Sequence, residues 1–176
     1  MKEKDIRPKK IFDKFLHLSS LDIRKYFGRP RTKINCVACG KKGKFSFKKR
    51  SFSYHECPKC KTLFVNPRPK ESSFENFYKK SSSMKFLSTN LYKKTKEARR
   101  NKIFKPRANM IFKILKEKKI KNYICVDIGG GTGLFAKEIS RLTKREVVVI
   151  EPSHFLAEEC KKKKLTVKNY PLGSYE

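Results

Sequence analysis

Two pairs of cysteines constrain this chain more than any other feature. Cys36-Val-Ala-Cys39 and Cys57-Pro-Lys-Cys60 are separated by the 17 residues 40–56. A Cys-x-x-Cys turn brings two thiolates to one ion, and two such turns at this spacing complete a tetrahedral site. With Cys36, Cys39, Cys57 and Cys60 filling all four positions, no coordination site is left for water, so the expected zinc is structural. His55 is a poorer ligand because the other pair offers no histidine to match it. Between the pairs, Phe45 and Phe47, then Phe52 and Tyr54, alternate with polar residues on either side of Lys49-Arg50, the pattern of a hairpin. Residues 62–65 supply a third strand. Such a module cannot rest on its apolar core, and bound metal contributes folding energy on the order of 10 kcal/mol.

The second constraint is Asp127-Ile-Gly129-Gly-Gly131-Thr-Gly133, between the apolar run 123–126 and the helical pattern 134–142. Strand, glycine turn and helix in that order open a ligand-binding βα unit, and glycine lets backbone approach the ligand closely. The register discriminates among ligands. A phosphate loop needs Lys and Ser or Thr after its last glycine, where this chain has Leu134 and Phe135; a dinucleotide fingerprint would place its third glycine on Leu134. Residues 146–150 read as a buried strand ending at Glu151, 22 positions beyond Gly129. That is where nucleotide-binding folds place an acid for ribose hydroxyls, which a carboxylate accepts well. A helix over 155–164 and a third strand over 165–168 follow, with Cys125 and Cys160 as ordinary buried thiols.

The remaining segments are basic. Of the formal charge of +30, residues 1–122 hold 37 Lys and Arg against 9 Asp and Glu, whereas residues 123–176 hold 9 against 7. Such a surface attracts nucleic acid, anionic membrane or acidic metabolites, or is simply a set of solvated faces. Residues 1–33 carry two short amphipathic pieces, one with Ile11, Phe12, Phe15, Leu16 and Leu18, the next with Leu21, Ile23, Tyr26 and Phe27, ended by Gly28 and Pro30. They read as helices docked on the body, or as an arm for nucleic acid or a membrane surface. Phe74, Phe77 and Tyr78 share a helix face, Ser81-Ser82-Ser83 is a break, and 90–119 is a basic helical region interrupted at Pro106, with an apolar stripe at Ala108, Ile111, Phe112 and Leu115. Lys93, Lys94, Arg99, Arg100, Lys102, Lys105 and Arg107 could line a path for an anionic substrate. No transmembrane run and no signal-peptide segment is present, so a cytoplasmic location is expected, where paired cysteines favour metal over disulfides.

The Asp-x-Gly-x-Gly-x-Gly pattern resembles motif I of the class I S-adenosylmethionine-dependent methyltransferases. Together with the two cysteine pairs, the strand running into Asn66-Pro67-Arg68-Pro69, and Phe77-Tyr78, it is similar to the zinc-ribbon members of that family, which include C-methyltransferases acting on nucleotide-linked deoxysugars. Lys61 departs from the glycine such sequences often carry after the last cysteine. The resemblance implies an α/β chain: a basic helical segment (1–33), a zinc ribbon (34–69), a helical cover (70–119), and the first half of a Rossmann-like domain (120–176). It implies S-adenosylmethionine held by Asp127, Gly129, Gly131, Gly133 and Glu151, an acceptor that is a sugar or other small molecule, and Tyr78 as the one catalytic candidate. A complete sheet of that family has seven strands, so a fragment, or a second chain that completes the sheet, is also expected. Two alternatives stand beside this reading. One is an RNA methyltransferase with a zinc module; the other is a zinc-ribbon nucleic-acid-binding protein without enzymatic activity.

Overall fold

The computed structural model describes residues 2–28 and 30–169. They form a mixed α/β chain with three small sheets, and divide into two compact units, His17–Phe77 and the remaining described residues. Among the described residues no helix is long and apolar enough to cross a membrane.

Helix α1 (Lys9–Phe27) follows a short 3-10 turn (Glu3–Asp5) and contributes to both units. The two amphipathic pieces expected here are one continuous helix. Ser19 and Ser20, between them, lie inside it.

In the His17–Phe77 unit, β1 (Arg31–Thr32) pairs antiparallel with β5 (Arg68–Pro69), and β2 (Lys44–Lys49), β3 (Phe52–Glu56) and β4 (Leu63–Val65) form an antiparallel sheet in that order. The β2–β3 loop is only Arg50 and Ser51, at φ 48° and 66°. Left-handed conformations at both positions match the twist of a two-residue hairpin loop. Phe27 packs on Phe74 and Phe77, with ring centroids 4.9 and 5.2 Å away, and so ties the end of α1 to α2 (Glu71–Lys80). Asn66 fixes the Asn-Pro-Arg-Pro stretch: its side-chain Oδ1 accepts from Ile34 N at 3.0 Å and its own N–H donates to Ser53 O at 2.9 Å. The Asn66-Pro67 peptide is cis.

In the other unit, which also takes in residues 2–16 and resumes at Tyr78, the Ser81 hydroxyl at the serine break caps α3 (Ser82–Phe86) by accepting from Met84 N. A nearly continuous helical run follows: a π-helical stretch at Leu87–Tyr92, α4 (Lys96–Arg99), a second π stretch at Arg100–Phe104, and α5 (Lys105–Glu117). Pro106 does not interrupt it. It lies in the first turn of α5, and the wider π turn before it leaves its missing N–H without consequence. The irregularities lie instead in the two π stretches, beside buried Thr95, whose hydroxyl donates to Leu91 O at 2.7 Å.

Strands β6 (Cys125–Ile128), β7 (Val147–Ile150) and β8 (Thr166–Lys168) form a parallel sheet in that order, linked through α6 (Leu134–Thr143) and α7 (His154–Lys161). The core is Ala108, Ala136, Ile139, Val147, Val149 and Cys160, with the expected α5 stripe residues Ile111 and Phe112 packed on it. Among the described residues β6 pairs on one side only, and its side chains Val126 and Ile128, like Ile124 just before it, are exposed.

Candidate functional site

The four cysteines converge. Gly40 N donates to Cys36 O and Lys61 N to Cys57 O, both at 2.9 Å, while Cys36 N and Cys57 N donate to Lys41 O and Thr62 O. The two turns thus have the same construction, and they bring all four sulfur atoms within 4.8 Å of one another. A tetrahedron with zinc–sulfur bonds of 2.3 Å has edges of about 3.8 Å, close to the 3.5 Å from Cys36 to Cys60 and the 3.4 Å from Cys39 to Cys57. The donor set and its geometry fit a structural metal such as zinc. Thr62 lies on the exposed side, where its hydroxyl and backbone hydrogen bonds hold the Cys60 thiol at about 6, ready to ionise. His55 points elsewhere, its Nδ1 3.5 Å from Gly43 O and its ring against Phe45 and Phe64. Phe64, Cys36 and Cys57 make a small core beneath the cluster. Gly43 belongs to it sterically, since a Cβ there would lie 2.5 Å from the Phe64 ring.

The second site is the turn between β6 and α6. Gly129, Gly131 and Gly133 have φ of 70°, 58° and 72°. Gly129 N and Gly130 N both donate to Ile150 O, which anchors the turn on β7. Cβ positions at Gly129 and Gly131 would point into open space, whereas one at Gly133 would lie 2.4 Å from Leu165 Cδ1. Gly133 therefore serves the packing of α6, and the other two line a cavity. Gly130, which the motif leaves unspecified, is equally required: a Cβ there would meet Val149 Cγ1 at 2.6 Å and Asp127 Oδ2 at 2.9 Å. No signal within the motif marks it, because Val149 arrives from the neighbouring strand.

The cavity has a volume of about 450 Å³, and its wall combines the turn and Asp127 with Tyr92, Arg99, Arg107 and Phe135. Asp127 Oδ2 is buried without a hydrogen-bond partner. Burial raises its pKa, against a backbone hydrogen bond from Ala136. Glu151, the acid expected on ribose hydroxyls, is buried, with Oε2 accepting from Gly131 N and Oε1 from Ser153 N, each at 2.8 Å. Burial raises its pKa as well, and the nearby Asp127 charge adds to the effect. Tyr78 is half-buried, and burial, then the charge of Glu151, push its phenol above the ordinary value. At neutral pH it is a neutral hydroxyl and not a base. Cys160 is the buried thiol expected, but it is not idle: its S–H donates to Gly131 O at 3.1 Å, and burial pushes it up to about 12. Arg99 lies over the Tyr92 ring at 4.5 Å.

The chain matches no protein-family model, and no curated protein matches it.

Proposed function

We propose that the cavity beside the glycine turn binds S-adenosylmethionine and that the parallel-sheet unit is the Rossmann-like half of a methyltransferase acting on an anionic acceptor. The observation that carries this reading is Asp127 Oδ2, a buried oxygen without a partner at the rim of a turn whose glycines leave room for a ligand. An ammonium group such as the one on the amino-acid end of this cofactor would satisfy it, and a charge-assisted bond there is about twice as strong as a neutral one. The bound cofactor supplies a sulfonium methyl. The residues of this chain position it: Gly129 and Gly131 admit it, Asp127 holds it, and Phe135 and Ile111 give the crevice an apolar wall. Positioning of donor and acceptor is the main catalytic contribution available to such a site. Glu151 secures the turn through Gly131, and a role on ribose hydroxyls requires its carboxylate to rotate outward. Arg99 and Arg107 on the opposite wall favour an acceptor bearing negative charge, which a phosphorylated small molecule and RNA both provide. The four-cysteine unit takes zinc for folding.

Isothermal calorimetry of the metal-loaded protein with S-adenosylmethionine tests the reading. Saturable one-to-one binding is expected, weakened by about 10- to 100-fold in Asp127→Asn. Absence of binding by a folded, metal-loaded sample would leave the non-enzymatic alternative in its place.

A further inference from the structure

The crevice does not stand alone. Tyr92 and Thr132, on its wall, also line a second groove of about 480 Å³, whose other residues include Ser88, Thr89, Lys93, Lys96, Lys162 and Lys163. Lys96, Leu134 and Lys163 in turn line a third groove of about 450 Å³, which continues past Lys137 and Arg141. Three depressions thus join end to end along the helical run 88–100 on one side and α6 with α7 on the other. A helical run from 88 to 100 covers roughly 20 Å. One phosphate or diphosphate reaches only part of that length.

The charge of the middle groove is unbalanced. Glu159 is its one acid, and it is shared: Lys162 Nζ lies 2.7 Å from Oε1 and Lys163 Nζ 3.9 Å from Oε2. Lys93 and Lys96 have no ion pair among the described residues. Burial lowers the pKa of Lys163 against the opposing charge of Glu159, and the neighbouring Lys96 and Lys162 charges lower it a little further. The third groove has the same kind of excess, with Lys96, Arg100, Lys137, Arg141 and Lys163 against Glu97 and Glu138, but there Glu138 engages Arg100 and Arg141. At the crevice end, Phe104, Phe135 and Tyr92 add aromatic surface.

We propose that these joined grooves are a binding track for a single-stranded nucleic acid, with lysines 93, 96, 162 and 163 on its phosphates and an unpaired base directed into the aromatic crevice. A string of cations contacts a repeating anion, and aromatic rings beside it distinguish a nucleic acid from an acidic polypeptide, since every base offers a face to stack on. A base must be unpaired to reach a crevice of this kind. The track rests on charge and shape alone; only the statement that the base meets a methyl donor rests on the cofactor reading above.

The test is fluorescence polarisation of labelled 12-nucleotide oligouridylate and oligothymidylate with the full metal-loaded chain, without cofactor, across a salt series. Each phosphate contact on a single strand contributes about −0.7 to the slope of log K against log salt, so four contacts predict a slope near about −3. Lys93→Gln/Lys96→Gln/Lys162→Gln should flatten it by about 2. A control with equal charge loss, Lys41→Gln/Lys42→Gln/Lys44→Gln in the cysteine unit, should leave it near the parent value. All six side chains are exposed, and circular dichroism with zinc content checks folding. Equal loss in both variants would overturn the track in favour of bulk charge. Unchanged slope in the first variant would also overturn it, as would polyglutamate of matching length competing as well as RNA. Calorimetry with S-adenosylmethionine on the same proteins reads the donor site separately: donor binding without nucleic acid sinks the track alone, and the reverse sinks the donor site alone.

Discussion

Gly40 and Lys61 occupy equivalent positions in the two cysteine turns, with φ of 71° and 60°. The sequence already marks Lys61 as a departure, and the backbone explains its cost: a side chain in the left-handed region costs about 1–2 kcal/mol, against which glycine loses about 0.5–1 kcal/mol through unfolded-state entropy. Lys61→Gly should therefore stabilise the metal-loaded unit by roughly 0.5–1 kcal/mol, raising its thermal midpoint by about 2–8 °C. The ion pair it removes, 3.8 Å to Glu56, is exposed and offsets little. A lower midpoint in a calorimetric scan would show that the lysine relieves more than it strains. Gly133 illustrates the opposite case, because its constraint comes from Leu165 and Cys160, residues about thirty positions away, and not from a ligand.

At the scale of elements, α6 is held to the preceding helical run by a buried carboxylate. Glu138 is 3% exposed, with Arg100 Nε 2.5 Å from Oε1 and Arg141 Nη2 3.5 Å from Oε2. Burial works to raise its pKa, but the hydrogen bond and charge of Arg100, with Arg141, hold it below the usual carboxylate value. A depressed carboxylate contributes stability that is present above its unfolded value, about 4.3, and is lost as pH falls through the folded value. Glu138→Gln should lower the protection of α6 amides in hydrogen exchange at pH 7 by about 1–3 kcal/mol. It should also flatten the decline of protection below about pH 4.5. A variant that keeps the parent's acid limb would assign that decline to another group. Helical periodicity shows α6 plainly, yet it places Glu138 on a solvent face as readily as under two arginines.

For the whole molecule, the two units have different sources of stability. One gathers its small core around four sulfur atoms, and the other around Ala136, Ile139, Val147 and Val149, with no cysteine pair involved. Removing the metal with a strong chelator should therefore abolish amide protection in β2, β3 and β4 while leaving that of β6 and β7 within about twofold, given folding energy on the order of 10 kcal/mol from a structural zinc. If the parallel sheet loses protection at the same chelator concentration, the units do not fold independently. If neither changes, the cysteines hold no structural metal.

The cysteine spacing and the glycine register carried the most information that local chemistry can hold. A Cys-x-x-Cys turn and a glycine with positive φ are properties of a few adjacent residues, so hairpin, ligand set and strand–turn–helix order were all legible before any folding. Helix continuity was less so: residues 1–33 read as two short pieces and Pro106 as an interruption, whereas α1 runs unbroken and Pro106 lies in the first turn of α5. What needed the tertiary structure was every relation across elements. It turned Glu151 inward onto Gly131, left Asp127 Oδ2 without a partner, required Gly130 because of Val149, and joined Lys93 and Lys96 with Lys162 and Lys163, just past the end of α7, along one groove. Those are distances between segments far apart in the chain, and no periodicity within one segment encodes them.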